Sequence, residues 1–91
     1  MSVADTMSRK LTERFAPIRL EIIDDSQRHA GHAGARPGGE THFSVMLVAA
    51  AFVGMGRVAR QRLVYQILAE ELAGSVHALS LTVLAPGEER R

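Results

Sequence analysis

The sequence contains no cysteine. This excludes a disulfide, a thiolate nucleophile and a self-contained zinc or iron–sulfur site of the all-thiolate kind. Any sulfur ligand to a metal held here has to come from another molecule. Long apolar runs are missing as well: the most extended, around Val45 to Val53, falls far short of the roughly 20 residues a membrane-spanning helix requires. Near the start, no basic stretch leads into an apolar run and a small-residue cleavage site, so a cytoplasmic protein without membrane contact is expected. The formal net charge is only +1, short of the strongly basic balance of a dedicated nucleic-acid binder, although ten of the eleven basic residues are arginine. Charge alone leaves the partner open. Internal repeats and low-complexity segments are absent.

What is present points to one small module. A chain of 91 residues is too short for two ordinary cores. With 46% hydrophobic and 23% charged residues it is close to a globular average, so it can bury a modest core. The expectation is a single domain over 1–91, its core spanning about 7–86 and its tail frayed over 87–91.

Val3, Met7, Leu11 and Phe15 recur every four residues behind Ser2, a ready N-cap, and ahead of Pro17, which predicts a short amphipathic helix. From Ile18 to Ile22 the alternation places Ile18, Leu20 and Ile22 inward, predicting a strand that runs out at Asp24 and Asp25. Ser26 to Glu40 holds four glycines and a proline with almost no apolar side chains, a longer connection than compact domains usually contain, and is expected to be mobile or functional. Thr41 to Ala49 reads as the second strand, closing a hairpin, with Phe43, Val45 and Leu47 on one face. A turn-like connector with Phe52 follows. Next comes a helix from Arg57 to Ala73 with Leu63, Val64, Ile67, Leu68 and Leu72 on one side, ended by Gly74. Val76 to Leu84 alternates as a third strand, stopped by Pro86. The order helix, strand, strand, short helix, helix, strand predicts a two-layer α/β (α+β) sandwich, a three-stranded sheet with helices on one face.

The four histidines, at 29, 32, 42 and 77, are the side chains with metal-binding or proton-transfer chemistry near neutral pH. His29 and His32 lie in the glycine-rich loop, where an imidazole can reach a metal, although spacing alone does not separate them from solvated loop histidines. His77 shares parity with Leu79 and Leu81, which predicts a ring at the edge of the helix-covered face, bonded to a backbone carbonyl. His42, opposite in parity to Phe43, reads as an exposed strand residue without a role. Catalysis finds no support: Asp24, Asp25 and Ser26 come with no nucleophile elbow, phosphate loop or metalloprotease helix, and they read as a strand end and turn cap. Arg57, Arg60 and Arg62 cluster at the start of the long helix, as phosphate contacts or as a solvated, ion-paired face. Arg60 differs in falling between Val64 and Ile67 on the apolar side, within reach of the connector backbone or of a partner.

Taken in order, Leu20-Glu21-Ile22-Ile23-Asp24-Asp25-Ser26, the loop residue His29, Gly39-Glu40-Thr41-His42-Phe43, Arg60-Gln61-Arg62-Leu63-Val64-Tyr65, Leu68-Ala69-Glu70-Glu71-Leu72 and Val76-His77-Ala78-Leu79-Ser80-Leu81 resemble the BolA family over about residues 7 to 88. The resemblance implies a fold similar to the type II KH domain. It also implies a non-enzymatic adaptor working with a monothiol, CGFS-type glutaredoxin, whose cysteine and bound glutathione supply thiolates to a shared [2Fe-2S] cluster, for iron–sulfur trafficking or iron and redox regulation. The isolated chain would carry no cofactor. By the same resemblance His77 is one ligand to the cluster and His29 the other, with His32 the alternate to His29. The absence of cysteine fits partner-supplied sulfur and the histidine-type loop group. Some family members are assigned DNA-binding transcriptional regulation, which would use Arg57, Arg60 and Arg62. Two departures stand out: Gln61 replaces the usual histidine of the Arg-His-Arg motif, and Gly54-Met55-Gly56-Arg57 lacks the Gly-x-x-Gly spacing with which KH domains clamp nucleic acid.

Overall fold

The computed structural model describes residues 2–25 and 41–89. Helix α1 (Val3–Phe15) begins with a reciprocal cap: Ser2 Oγ accepts from the Asp5 N–H at 3.0 Å and Asp5 Oδ2 accepts from the Ser2 N–H at 3.3 Å. Its four-residue spacing puts Met7, Leu11 and Phe15 into the core. The helix stops at Ala16, whose φ of 45° is left-handed and whose N–H returns to the Thr12 carbonyl.

Strand β1 (Arg19–Asp24) pairs antiparallel with β2 (His42–Val48), Leu20 opposite Leu47 and Ile22 opposite Val45. The predicted hairpin is therefore present, with a shifted first strand. Ile18 is 67% exposed rather than inward, because it lies in the bend after Pro17, ahead of the ladder. At the other end the ladder continues to Asp24, which pairs with Phe43. The stretch 26–40 lies outside the described residues, and with it the expectation of a mobile loop.

After β2, a single 3₁₀ turn (Ala50–Phe52) drives Phe52 into the core, where its ring meets that of Phe15 at 4.8 Å. The expected single helix over 57–73 is bent into α2 (Arg57–Ile67) and α3 (Ala69–Ala73) at Leu68, whose φ and ψ are −101° and 20°. Hydrogen bonds four residues apart persist on both sides of the bend, from Leu68 N to Val64 O and from Leu72 N to Leu68 O. Val64 and Leu68 are both fully buried, while Glu70 and Glu71 meet Lys10 of α1 at 2.7 and 2.9 Å. Those two carboxylates raise the pKa of Lys10, and the ammonium in turn lowers that of Glu70.

Strand β3 (Ala78–Leu84) runs parallel to β2 and completes the order β1-β2-β3, leaving β3 at an edge. Leu20 and Ile22, Phe43, Val45 and Leu47, and Leu79, Leu81 and Val83 face the helices and form one core with them. The expected architecture, helices on one face of a three-stranded sheet, is thus the observed one. On the opposite face lie Glu21 and Ile23, His42, Ser44 and Met46, and Ala78, Ser80 and Thr82.

An exposed edge strand offers unpaired backbone groups to other chains. Here the outward carbonyls of β3 are covered by consecutive turns of α2: Tyr65 Oη donates to Leu79 O at 3.3 Å, Gln61 Nε2 to Leu81 O at 3.3 Å, and Arg60 Nη1 to Val83 O at 3.1 Å. Arg60 also donates through Nε to Met55 O at 2.9 Å and forms a two-pronged pair with Glu88 at 2.6 and 3.1 Å. Within the tail expected to fray over 87–91, Glu88 pairs with Arg60 and Glu89 meets Arg19 at 2.6 Å, while 90–91 lie outside the described residues.

Two predictions follow from this packing. Removing the Phe52 ring (Phe52→Ala) should cost about 3–5 kcal/mol in urea unfolding, the usual range for a buried aromatic; a loss below 1 kcal/mol, on the order of a surface change, would contradict its place at the centre of the core. The second concerns acid. The Arg60 guanidinium, with help from the Ala85 N–H, lowers the Glu88 carboxyl from 4.5 to about 2. A carboxylate whose folded value lies below its unfolded one stabilises the fold above the unfolded value and loses that contribution as pH falls through the folded one. Stability should therefore decline between pH 4.5 and about 2 with a share from Glu88, and Glu88→Gln should flatten that limb. An identical acid limb in the variant would show that the pair does not form in solution.

Candidate functional site

Of the histidines assigned to metal, His77 is within the described residues, while His29 and His32 lie outside them. At one end of the sheet, beside the undescribed stretch, the Asp25 N–H donates to His42 O at 2.7 Å. His77 is at that same end, immediately before β3.

The orientation of His77 differs from the expected one. Parity with Leu79 predicts an inward ring, yet His77 is exposed. The reason is the way β3 starts: the Thr41 carbonyl accepts from both His77 N, at 2.7 Å, and Ala78 N, at 3.2 Å. Two consecutive donors on one acceptor interrupt the alternation as a bulge does, so regular pairing begins only at Ala78, opposite His42. The expected start of the strand at Val76 moves accordingly: Val76 is buried but bonds to Glu71 O rather than to the sheet.

His42, given no role on parity, is the residue the sequence reading missed. It is half-buried, its Nδ1 is 2.8 Å from Oγ1 of the fully buried Thr41, and its ring centroid is 6.3 Å from that of His77 in an edge-on arrangement. The available signal was positional: His42 opens β2 and His77 immediately precedes β3, so parallel pairing brings the two starts together. At the same end, Ser44 Oγ donates to Asp25 Oδ2. Among the described residues, no group of three or more histidine or acidic side chains is assembled that could hold a metal by itself.

The arginine cluster is split by the structure. Arg57 and Arg62 are exposed, whereas Arg60 is half-buried and committed to Met55, Val83 and Glu88. Glu88 raises its pKa further. Of the two openings left by the sequence, the bond to the connector backbone is the one observed. Gln61, in the position where the motif usually has histidine, binds the edge strand at Leu81. A groove of about 380 Å³ between the start of α2 and β3, lined by Met55, Arg57, Arg60, Gln61, Leu81 and Thr82 among others, therefore offers, of its two guanidiniums, that of Arg57 without a partner among the described residues.

The family description "BolA-like protein" matches residues 11–88. An uncharacterised protein of Sinorhizobium sp, encoded in the 5′ region of cobS, is 46% identical over 92 residues, covering 100% of this chain and 99% of that protein. The DNA-binding transcriptional regulator BolA of Escherichia coli K12 is 42% identical over 81 residues, covering 89% of this chain and 73% of that protein. The structure of BolA1 from Arabidopsis thaliana superimposes with a TM-score of 0.83 at 41% identity, covering 96% of this chain and 95% of that one. The α/β sandwich, in its type II KH-like order, is thus shared with a BolA structure. With the family match spanning most of its length, the chain belongs to the BolA family.

Proposed function

We propose that the chain is a non-enzymatic adaptor that binds a monothiol glutaredoxin and contributes imidazole ligands to a [2Fe-2S] cluster held between them. The observation that carries this reading is the exposed ring of His77 at the open end of the sheet, held there by the start of β3. A ligand to a cluster held mainly by another protein has to be reachable from outside, and a core-edge histidine would not be. The donor set fits the same chemistry: the chain has no thiolate, so it can add nitrogen ligands to a cluster whose sulfur ligands belong to the partner. His77 would be one ligand, and His29 or, as its alternate, His32 the other. When bound, such a cluster supplies a transferable or redox-sensing iron centre, and imidazole in place of thiolate raises its potential.

DNA-binding transcriptional regulation is the second reading, favoured by the exposed Arg57 and Arg62 and by the name of the Escherichia coli relative. It is weakened by the commitment of Arg60, which leaves fewer guanidiniums for phosphates on α2.

Co-expression with a monothiol glutaredoxin decides between them. The wild-type pair should purify as a coloured complex whose absorption and circular dichroism differ from those of the glutaredoxin alone. His77→Ala should remove that difference while leaving a folded protein, because no thiolate can substitute. A folded His77→Ala variant giving an unaltered cluster spectrum would show the assignment to be wrong. Tight DNA binding that weakens steeply with salt, together with no coloured complex, would favour the second reading.

A further inference from the structure

Strand β1 forms the edge of the sheet away from β3, and among the described residues no helix side chain covers its outward groups as α2 covers those of β3. The β1–β2 register and the bond from the Asp25 N–H to His42 O turn the backbone groups of Arg19, Glu21 and Ile23 toward β2 and those of Leu20 and Ile22 outward. We propose that this edge is the interface of a homodimer, in which β1 of a second copy of the chain pairs antiparallel about a twofold axis at Leu20. The surface is independent of the glutaredoxin reading, because β2 separates β1 from β3 and from His77 just before it.

The edge itself indicates a second copy as its occupant, because Pro17-Ile18-Arg19-Leu20-Glu21-Ile22-Ile23 complements its own reverse. With Leu20 opposite Leu20, Arg19 of each chain falls opposite Glu21 of the other, Ile18 opposite Ile22, and Ile23 opposite Pro17. Arg19 and Glu21 are exposed and already paired at 2.7 Å within the strand. Two such pairs side by side make a square of four charges of alternating sign. Ile18 and Ile23, 67% and 53% exposed in the single chain, each gain an apolar cross-strand neighbour. The neighbouring twofold registers fail: an axis at Arg19 or at Glu21 opposes that residue to its own like charge, and an axis at Ile22 sets Leu20 against Asp24. Charges on an edge strand usually keep other strands away; these also select a single twofold register.

The size of the contact sets its strength. The segment from Pro17 to Ile23 is far shorter than the about 20–30 residues a side of a standard stable interface. The dimer therefore forms at high protein concentration and dissociates on dilution. Because its ion pairs lie at the surface, salt weakens it. Pairing joins the two sheets into one of six strands, with both β3 edges at the outside.

The test uses the full chain alone, by sedimentation velocity over an about hundredfold range of concentration, with amide hydrogen exchange at both ends of that range. The wild-type chain should pass from monomer to dimer as concentration rises, and the Leu20 N–H should become protected in step with the dimer. Arg19→Glu and Glu21→Arg each place like charges opposite one another, so each variant by itself should stay monomeric at the highest concentration. Both positions are exposed, and circular dichroism checks that the variants are folded. Mixed in equal amounts, the two variants should dimerise, because in the mixed pair every charge at position 19 again meets its opposite at position 21. A wild-type chain monomeric throughout, single variants that dimerise as the wild type does, or a mixture that stays monomeric would each overturn the proposal. So would a dimer that leaves the Leu20 N–H unprotected, since it would use another surface.

Discussion

Thr41 is the residue on which this end of the molecule depends. It is fully buried, its carbonyl accepts from two consecutive N–H groups at the start of β3, and its hydroxyl meets the His42 ring. A buried carbonyl has to be paired, and pairing it twice fixes both the parallel register of β3 and the residue left outside that register. That residue is His77. One acceptor on β2 thus turns a histidine that simple alternation would send toward the core into one that faces solvent beside a second histidine.

The rest of the fold keeps that arrangement in place. β3 is an edge strand, yet Arg60, Gln61 and Tyr65 hold its outward carbonyls from α2, and Arg60 joins the connector and the C-terminal turn to the same strand. Lys10 ties α1 to α3 on the far side of the core. The chemically useful nitrogens therefore sit on a braced sheet end, and one of the three guanidiniums of α2, that of Arg60, is committed to holding the strand. This division explains why a run of three arginines in the sequence, Arg57, Arg60 and Arg62, does not amount to three phosphate contacts.

Much of the fold could be read from local pattern. The four-residue spacing of α1, the hairpin alternation and the burial of Phe43, Val45 and Leu47 follow from periodicity, which core burial enforces. The bond from Arg60 to the connector was also legible, because a charge on an apolar helix face needs a nearby acceptor. Three features were not. The bend at Leu68 has no proline or glycine to mark it and arises from tertiary packing. The outward turn of His77 depends on a doubled hydrogen bond to a residue 36 positions away, which no alternation rule contains. The partnership of His42 with His77 requires knowing that β2 and β3 are parallel neighbours. The two loop histidines remain assigned by family resemblance alone.

The central claim is that this chain donates imidazole nitrogen to a cluster whose sulfur ligands belong to another protein. It is tested most directly by pulsed electron paramagnetic resonance on the reduced complex, with ¹⁵N-histidine incorporated into this chain only and an unlabelled glutaredoxin. The account predicts ¹⁵N hyperfine couplings from histidine directly bound to iron, with the contribution of His77 lost in the His77→Ala variant. A cluster in the complex that shows no ¹⁵N coupling, or one that keeps it unchanged without His77, would contradict the account.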